Sequence, residues 1–160
     1  MSDLGYTLIF LTRGADILML QRRNPPNQGL WNGIGGRIEM GETPRQCALR
    51  EIAEETGYVL TELTFGGLLT WEGFEIPTGS LYIYTAEAPQ GEPHATTEGI
   101  LGWKPRGWVF SAPEVVSNIH VFGPRVMAGD PPRRYHFIYQ DGKILHYDFL
   151  PLDMNMGCVV

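Results

Sequence analysis

The stretch over residues 43–57 constrains this chain more than any other. Thr43 suits a helix N-cap, Pro44 suits the first helical position, and Gln46 completes a Thr-x-x-Gln capping box. Gly57 supplies a left-handed stop. The residues between are good helix formers, so a helix is expected over this span. On a wheel of about 100° per residue, Ala48, Leu49, Ile52 and Ala53 share the side that would be buried. Glu51, Glu54 and Glu55 fall on the opposite side, with Arg50 at their border. Like charges at i,i+3 and i,i+4 destabilise a helix unless a positive charge sits among them. One arginine faces three acids here. Taken alone, this helix reads as an ordinary solvated acidic face, or as oxygen ligands for a hard divalent cation.

The charge distribution sharpens that choice. The 160-residue chain has 12 Lys+Arg against 18 Asp+Glu, a formal net charge of −6. Its negative excess lies wholly within residues 39–103, which hold eleven Glu and only Arg45 and Arg50 as bases. An acidic balance disfavours nucleic-acid polymers and membrane surfaces, which want a basic face. It also disfavours phosphorylated ligands, unless part of the acidic block holds a cation. At 43% apolar and 19% charged residues the chain should bury a real core. Its length suits one domain over residues 1–160.

Short apolar runs at 6–11 and 17–20 around Arg13-Gly14-Ala15-Asp16 predict a hairpin or neighbouring strands. Residues 24–29 (NPPNQG) predict a loop. Further strands are expected at 68–71, 81–86 and 101–103, with a turn at 73–79 and a loop at 89–97. Residues 113–128 predict a helical region broken at Gly123-Pro124. The clearest hairpin joins 135–139 to 144–149 through Asp141-Gly142. The sum is a mixed α/β (α+β) domain with short strands and two helices. Cys47 and Cys158 are expected to be free thiols in a reducing compartment. The chain shows neither a signal-peptide pattern nor an apolar run long enough to span a membrane, so the cytoplasm is the expected location. The oligomeric state stays open.

Gly36, Glu42 and Arg50-Glu51-Ile52-Ala53-Glu54-Glu55-Thr56-Gly57-Tyr58 match, at every fixed letter, the pattern G-x5-E-x7-R-E-U-x-E-E-x-G-U, where U is bulky and aliphatic. This pattern resembles the box of the Nudix hydrolases. Tyr58 departs from the final U, although it is large and largely apolar. The resemblance implies a mixed β-sheet sandwiched between helices, and hydrolysis of a nucleoside diphosphate linked to another moiety. The implied cofactor is Mg²⁺, or Mn²⁺ in its place. It also implies that Glu51, Glu54 and Glu55 hold metal, with the Gly36 carbonyl as a further ligand. One of these glutamates orients or deprotonates the attacking water, and which one varies within the family. Arg50 would hold the helix carboxylates in place, and Glu42 would support the loop.

Tyr6-Thr7-Leu8, Trp31-Asn32-Gly33-x-Gly35-Gly36, Glu98-x4-Trp103 and the final hairpin resemble the MutT/8-oxo-dGTP diphosphatase group, especially its animal members. In that group the residue matching Asn32 contacts the purine edge, and the one matching Thr7 lines the pocket. Glu98 matches an additional acid near the metals. Animal members carry two adjacent Asp before the second helix. Here Asn118 stands at the first position and Ile119 at the second, which weakens the expectation of oxidised-purine preference. Pro26 stands where a pocket Phe is expected. Gly35, Gly36 and Arg23 are expected to meet the substrate, although a solvated strand end describes Arg22 and Arg23 equally well. Trp31 reads as a packing residue, and His120 and Phe122 are pocket candidates for which packing is the better reading. His94, His136 and His146 form no ligand spacing and receive no role.

The expected function is therefore Mg²⁺-dependent hydrolysis of a nucleoside triphosphate to a monophosphate and pyrophosphate, with oxidised purines such as 8-oxo-dGTP as candidates. One alternative is the same chemistry on ADP-ribose or another nucleoside diphosphate derivative. The other is a nucleotide sensor without turnover, although a pure binder has no need of all three box glutamates.

Overall fold

The first two strands are apolar at nearly every position because both of their faces are buried. The computed structural model describes residues 4–94, 96–153, 157, 159 and 160; the expectation for Cys158 lies outside them. In β1 (Leu4–Arg13), Leu8 and Phe10 face one core, and Ile9 and Leu11 face the other. In β2 (Asp16–Arg22), Ile17 and Met19 join the first core, and Leu18 and Leu20 the second. Period-two alternation thus divides each strand between two hydrophobic layers.

The expected hairpin forms, but only its tip pairs, at Thr12–Ile17 and Arg13–Asp16. Beyond the tip the strands splay, and the glycine-rich segment fills the gap. The short strand β3 (Trp31–Asn32) pairs with β2, while Ile34 and Arg37 bridge to Ile9 and Tyr6 of β1. A Cβ on Gly35 would overlap the Thr7 carbonyl, so only glycine permits this approach.

The helix α1 (Pro44–Thr56) has the expected ends. Thr43 Oγ1 accepts from Gln46 N–H at 3.1 Å, Gln46 Oε1 accepts from Thr43 N–H at 3.0 Å, and Gly57 stops the helix at φ 81°. Ala48 and Ile52 pack it against the second core.

The remaining strands are longer than expected: β4 (Thr64–Glu72), β5 (Gly79–Glu87) and β6 (Gly99–Pro105). β7 (Arg133–Gln140) and β8 (Lys143–Leu150) form the predicted hairpin, with Asp141 and Gly142 both at positive φ. The mixed sheet runs β3-β2-β1-β5-β4-β7-β8, with β6 on β2. The β1–β5 and β4–β7 pairs are parallel.

The helical region at 113–128 is corrected. The helix α3 (Ile119–Met127) starts later and runs through Gly123-Pro124 unbroken, preceded by the four-residue α2 (Arg106–Val109). Residues 114–116 are held out of a helix by β3: Trp31 N–H donates to the Glu114 carbonyl, and Val116 N–H donates to the Trp31 carbonyl. Pro124 forgoes one helical hydrogen bond, which burial of Ile119, Phe122 and Val126 in the first core offsets. α1 covers one face of the sheet and α2 with α3 the other, giving the expected sandwich. Among the described residues no helix is long and apolar enough to cross a membrane.

Thr43→Ala removes one half of the capping box. It should destabilise the fold by about 1 kcal/mol, read as a fall of about 2–4 °C in Tm. An unchanged Tm would show that tertiary packing alone holds the helix start.

Candidate active site

Arg50 organises the carboxylates. Its Nε and Nη2 donate to the two oxygens of Glu42 at 2.7 and 3.0 Å. Its Nη1 donates to Glu51 at 2.9 Å and to Glu54 at 3.2 Å, and Nη2 also donates to the Arg37 carbonyl at 3.1 Å. One guanidinium therefore ties the loop before α1 to the acidic face of α1. The pairing holds the Glu42 carboxyl below its ordinary range. These contacts place Arg50 among the helix carboxylates and join Glu42 to it.

The three helix glutamates do not share one environment. Glu54 is exposed and leans on Arg50, while Glu55 is 4% exposed. The wheel sets all three away from the core, but the glycine-rich segment folds over this side of α1 and buries Glu55 beneath it. A Cβ on Gly36 would overlap the Glu51 carboxylate, so the glycine gives Glu51 its place. Burial raises the Glu51 carboxyl against the opposing pull of Arg50. Burial, then the neighbouring Glu51 and Glu98, push Glu55 up to about 9, opposed by a hydrogen bond from the Gly35 backbone. Glu55 Oε2 is buried and has no hydrogen-bond partner among the described residues.

Two adjoining acids with an orphaned buried oxygen fit a hard divalent cation, which takes oxygen ligands. Among the described residues no three His, Cys, Asp or Glu side chains converge as a ready cage; Arg50 draws Glu54 outward instead. The Gly36 carbonyl accepts from Thr7 N–H at 2.8 Å and, at longer range, from Thr7 Oγ1 at 3.5 Å and Cys47 Sγ at 3.9 Å.

Gly35 and Gly36 also form the wall of a cleft of about 260 Å³ on their other side. Thr7, Asn32 and Asn118 line it, as expected, and so does Pro26. Asn32 Oδ1 accepts from Gly33 N–H at 2.9 Å, the local bond expected of a loop Asn, while the residue still borders the cleft. Asn118 Nδ2 donates to the Tyr139 hydroxyl at 3.0 Å. Ile119 is fully buried in the core and cannot stand in for an acid.

Arg23 is corrected. Arg22 borders the cleft, with its Nε donating to the Pro26 carbonyl at 2.7 Å, whereas Arg23 borders a separate groove beside His94. Arg22 is the last residue of β2, and Arg23 stands in the bend that follows. The sequence reading missed Trp71, Phe74, Tyr139 and Arg37, all of which line the cleft. Phe74 packs on Tyr139 with ring centroids 4.8 Å apart. Only the pairing of β4 with β7 gathers these aromatics. Arg37 is exposed, and its side chain makes no ion pair among the described residues. Trp31, Phe122 and His120 are packing residues as expected. Trp31 meets Trp108 edge-on at 6.1 Å, Phe122 lies in the core, and His120 bonds the Ala112 carbonyl.

Comparison with known proteins points the same way. The NUDIX domain profile matches residues 4–128. The chain is 31% identical over 93 residues to an oxidized purine nucleoside triphosphate hydrolase of Danio rerio, covering 58% of this chain and 60% of that protein. It is 34% identical over 94 residues to a putative 8-oxo-dGTP diphosphatase 2 of Mycobacterium tuberculosis, covering 58% and 67%. A MutT protein from Bacillus halodurans superposes with a TM-score of 0.73 at 24% identity, covering 91% of this chain and 97% of that one.

The raised Glu55 carboxyl predicts a pH effect on the metal-free protein. The folded state keeps its proton up to about pH 9, while an unfolded glutamate loses it near 4.5. The stability from Glu55 is thus complete below about 4.5 and is lost as pH rises toward 9. In chelator, Glu55→Gln should gain Tm over the parent progressively from pH 5 to 9. Parallel Tm–pH curves would contradict this assignment.

Proposed function

The chain belongs to the NUDIX family, and from that premise we propose that it hydrolyses nucleoside triphosphates to a monophosphate and pyrophosphate with Mg²⁺ or Mn²⁺, acting on purine nucleotides including oxidised ones such as 8-oxo-dGTP. The observation that carries the proposal is the buried Glu55 Oε2, without a hydrogen-bond partner among the described residues, on a carboxyl beside Glu51 and the glycine wall of the cleft. The relatives named for oxidised-purine and 8-oxo-dGTP hydrolysis support the choice of substrate.

Glu51, Glu54, Glu55 and Glu98 would hold the cation, with the Gly36 carbonyl as a further ligand. Bound there, it neutralises phosphate charge and lowers the pKa of attacking water. The chain's own residues do the rest. Asn32 and Asn118 offer neutral donors and acceptors to the purine edge, and Thr7 closes the cleft floor. Phe74, Trp71 and Tyr139 supply apolar and aromatic surface for the base. Arg37, unpaired at the junction of cleft and carboxylates, meets phosphate oxygens. Arg50 keeps Glu51 and Glu54 oriented, and one of the helix glutamates takes the proton from water.

The decisive experiment offers canonical and oxidised nucleoside triphosphates and ADP-ribose, with Mg²⁺ and with chelator, and identifies the products. Pyrophosphate and monophosphate, formed only with Mg²⁺, support the proposal. AMP and ribose phosphate from ADP-ribose alone would replace it with the second substrate class, and binding without products would replace it with a sensor. Glu54→Gln should cut turnover at least about a hundredfold, as for loss of charge-stabilising catalytic groups, with Tm retained. Near-parental turnover would remove Glu54 from the mechanism. Asn32→Ala should raise KM and reorder the purines; an unchanged ranking would reduce Asn32 to a loop cap.

A further inference from the structure

Two hydrogen bonds settle the polarity of the cleft. Asn118 stands immediately before α3, where an asparagine ordinarily turns its side-chain oxygen onto the free N–H groups of the first turn. Its backbone carbonyl does open the helix, accepting from Val121 and Phe122 N–H at 3.0 and 3.1 Å, but its side chain makes no cap. The amide turns instead to β7, where Nδ2 donates to the Tyr139 hydroxyl at 3.0 Å. Oδ1 is left without a partner among the described residues, on a half-buried side chain that lines the cleft. Asn32 is fixed the other way round: its Oδ1 is taken by Gly33 N–H, so its free end is Nδ2.

Tyr139 is held just as firmly. It is 7% exposed, with the Phe74 and Phe137 ring centroids 4.8 and 6.3 Å from its own. Burial raises its phenol above the ordinary range, against the pull of the Asn118 bond, so the hydroxyl keeps its proton. Having accepted from Asn118, that hydroxyl gives its own hydrogen to no acceptor among the described residues. The amide thus shows an acceptor and the phenol a donor, side by side in one cleft. No Asp, Glu, His or Lys lines that cleft among the described residues. An acid could change from acceptor to donor by taking a proton, whereas an amide held at its nitrogen cannot.

We propose that Tyr139 is a specificity-determining residue: by holding the Asn118 amide at its nitrogen it leaves Oδ1 to accept an N–H of the nucleobase, and it offers its own O–H to an acceptor beside that N–H. The edge that fits is a ring or amino N–H next to a carbonyl or ring nitrogen. A base that presents only lone pairs there leaves Oδ1 unpaired, a loss of about tenfold in affinity. The proposal rests on the nucleotide reading above and gives Tyr139 a part in it beyond aromatic surface.

The test measures Kd for deoxynucleoside monophosphates by calorimetry in chelator, so that neither metal nor turnover enters. Each pair in the panel differs at one N–H position: 8-oxo-dGMP against dGMP, dGMP against its O6-methyl derivative, and dGMP against dIMP. The parent should separate at least one pair by about tenfold or more. Tyr139→Phe keeps the ring against Phe74 and should narrow that same pair to about twofold or less, with Tm retained. Asn118→Leu should narrow it likewise. Asn118→Asp, which near neutral pH accepts but cannot donate, should keep it. An unchanged separation in Tyr139→Phe, its loss in Asn118→Asp, or a parent that binds all members alike or none of them would overturn the assignment. With the triphosphates and Mg²⁺, the change in Tyr139→Phe should fall on KM more than on kcat. No hydrolysis of any triphosphate by the parent would instead overturn the hydrolase reading, and the monophosphate Kd values would still decide the role of Tyr139.

Discussion

The site depends on one guanidinium. Arg50 joins Glu42, Glu51, Glu54 and the Arg37 carbonyl, so the glycine-rich loop cannot leave α1 without breaking several charge-assisted bonds at once. A planar fork with five donors suits this work, and a lysine would not. Arg50 nevertheless neutralises only part of the acid around it. Glu55 makes no ion pair with Arg50 among the described residues, and burial, then the neighbouring Glu51, push its carboxyl up to about 9. The carboxylates held by Arg50 and the one left over are two parts of a single charge balance.

The glycines convert that balance into a site. Gly36 lets the Glu51 carboxylate touch the backbone, and Gly35 lets the same backbone lie on β1. One thin wall then separates acid on one side from an aromatic cleft on the other. The acidic composition, which at first disfavours phosphates, becomes compatible with them once part of it serves a cation at the end of that cleft. The end of β2 separates two neighbouring arginines, Arg22 as its last residue and Arg23 in the bend that follows. Arg22 borders the cleft, and the Arg23 backbone anchors the segment that carries Glu98.

Much of this was legible in the sequence where the cause is local. Helix α1, its caps, the Asp-Gly hairpin and the first hairpin's tip follow from residues close in the chain. The box spacing singled out the glutamates, and Thr7, Asn32 and Asn118 do border the cleft. The illegible parts have distant causes. Trp31 holds residues 114–116 in a bridge and delays α3, and the parallel β4–β7 pairing brings Phe74 and Tyr139 together. The exchange of Arg22 for Arg23 turned on where β2 ends, one residue before Arg23.

The sequence by itself determined that a capped helix would carry three glutamates behind a glycine-rich turn, because capping, propensity and close approach are properties of neighbouring residues. Only the tertiary structure decided what each glutamate is. Glu54 is exposed, Glu51 is shared with Arg50, and Glu55 is buried with one oxygen that has no partner among the described residues. The reason is solvation. The energy of a carboxylate depends on what covers it, and the cover over Glu51 and Glu55 comes from the glycine segment that β1 holds in place.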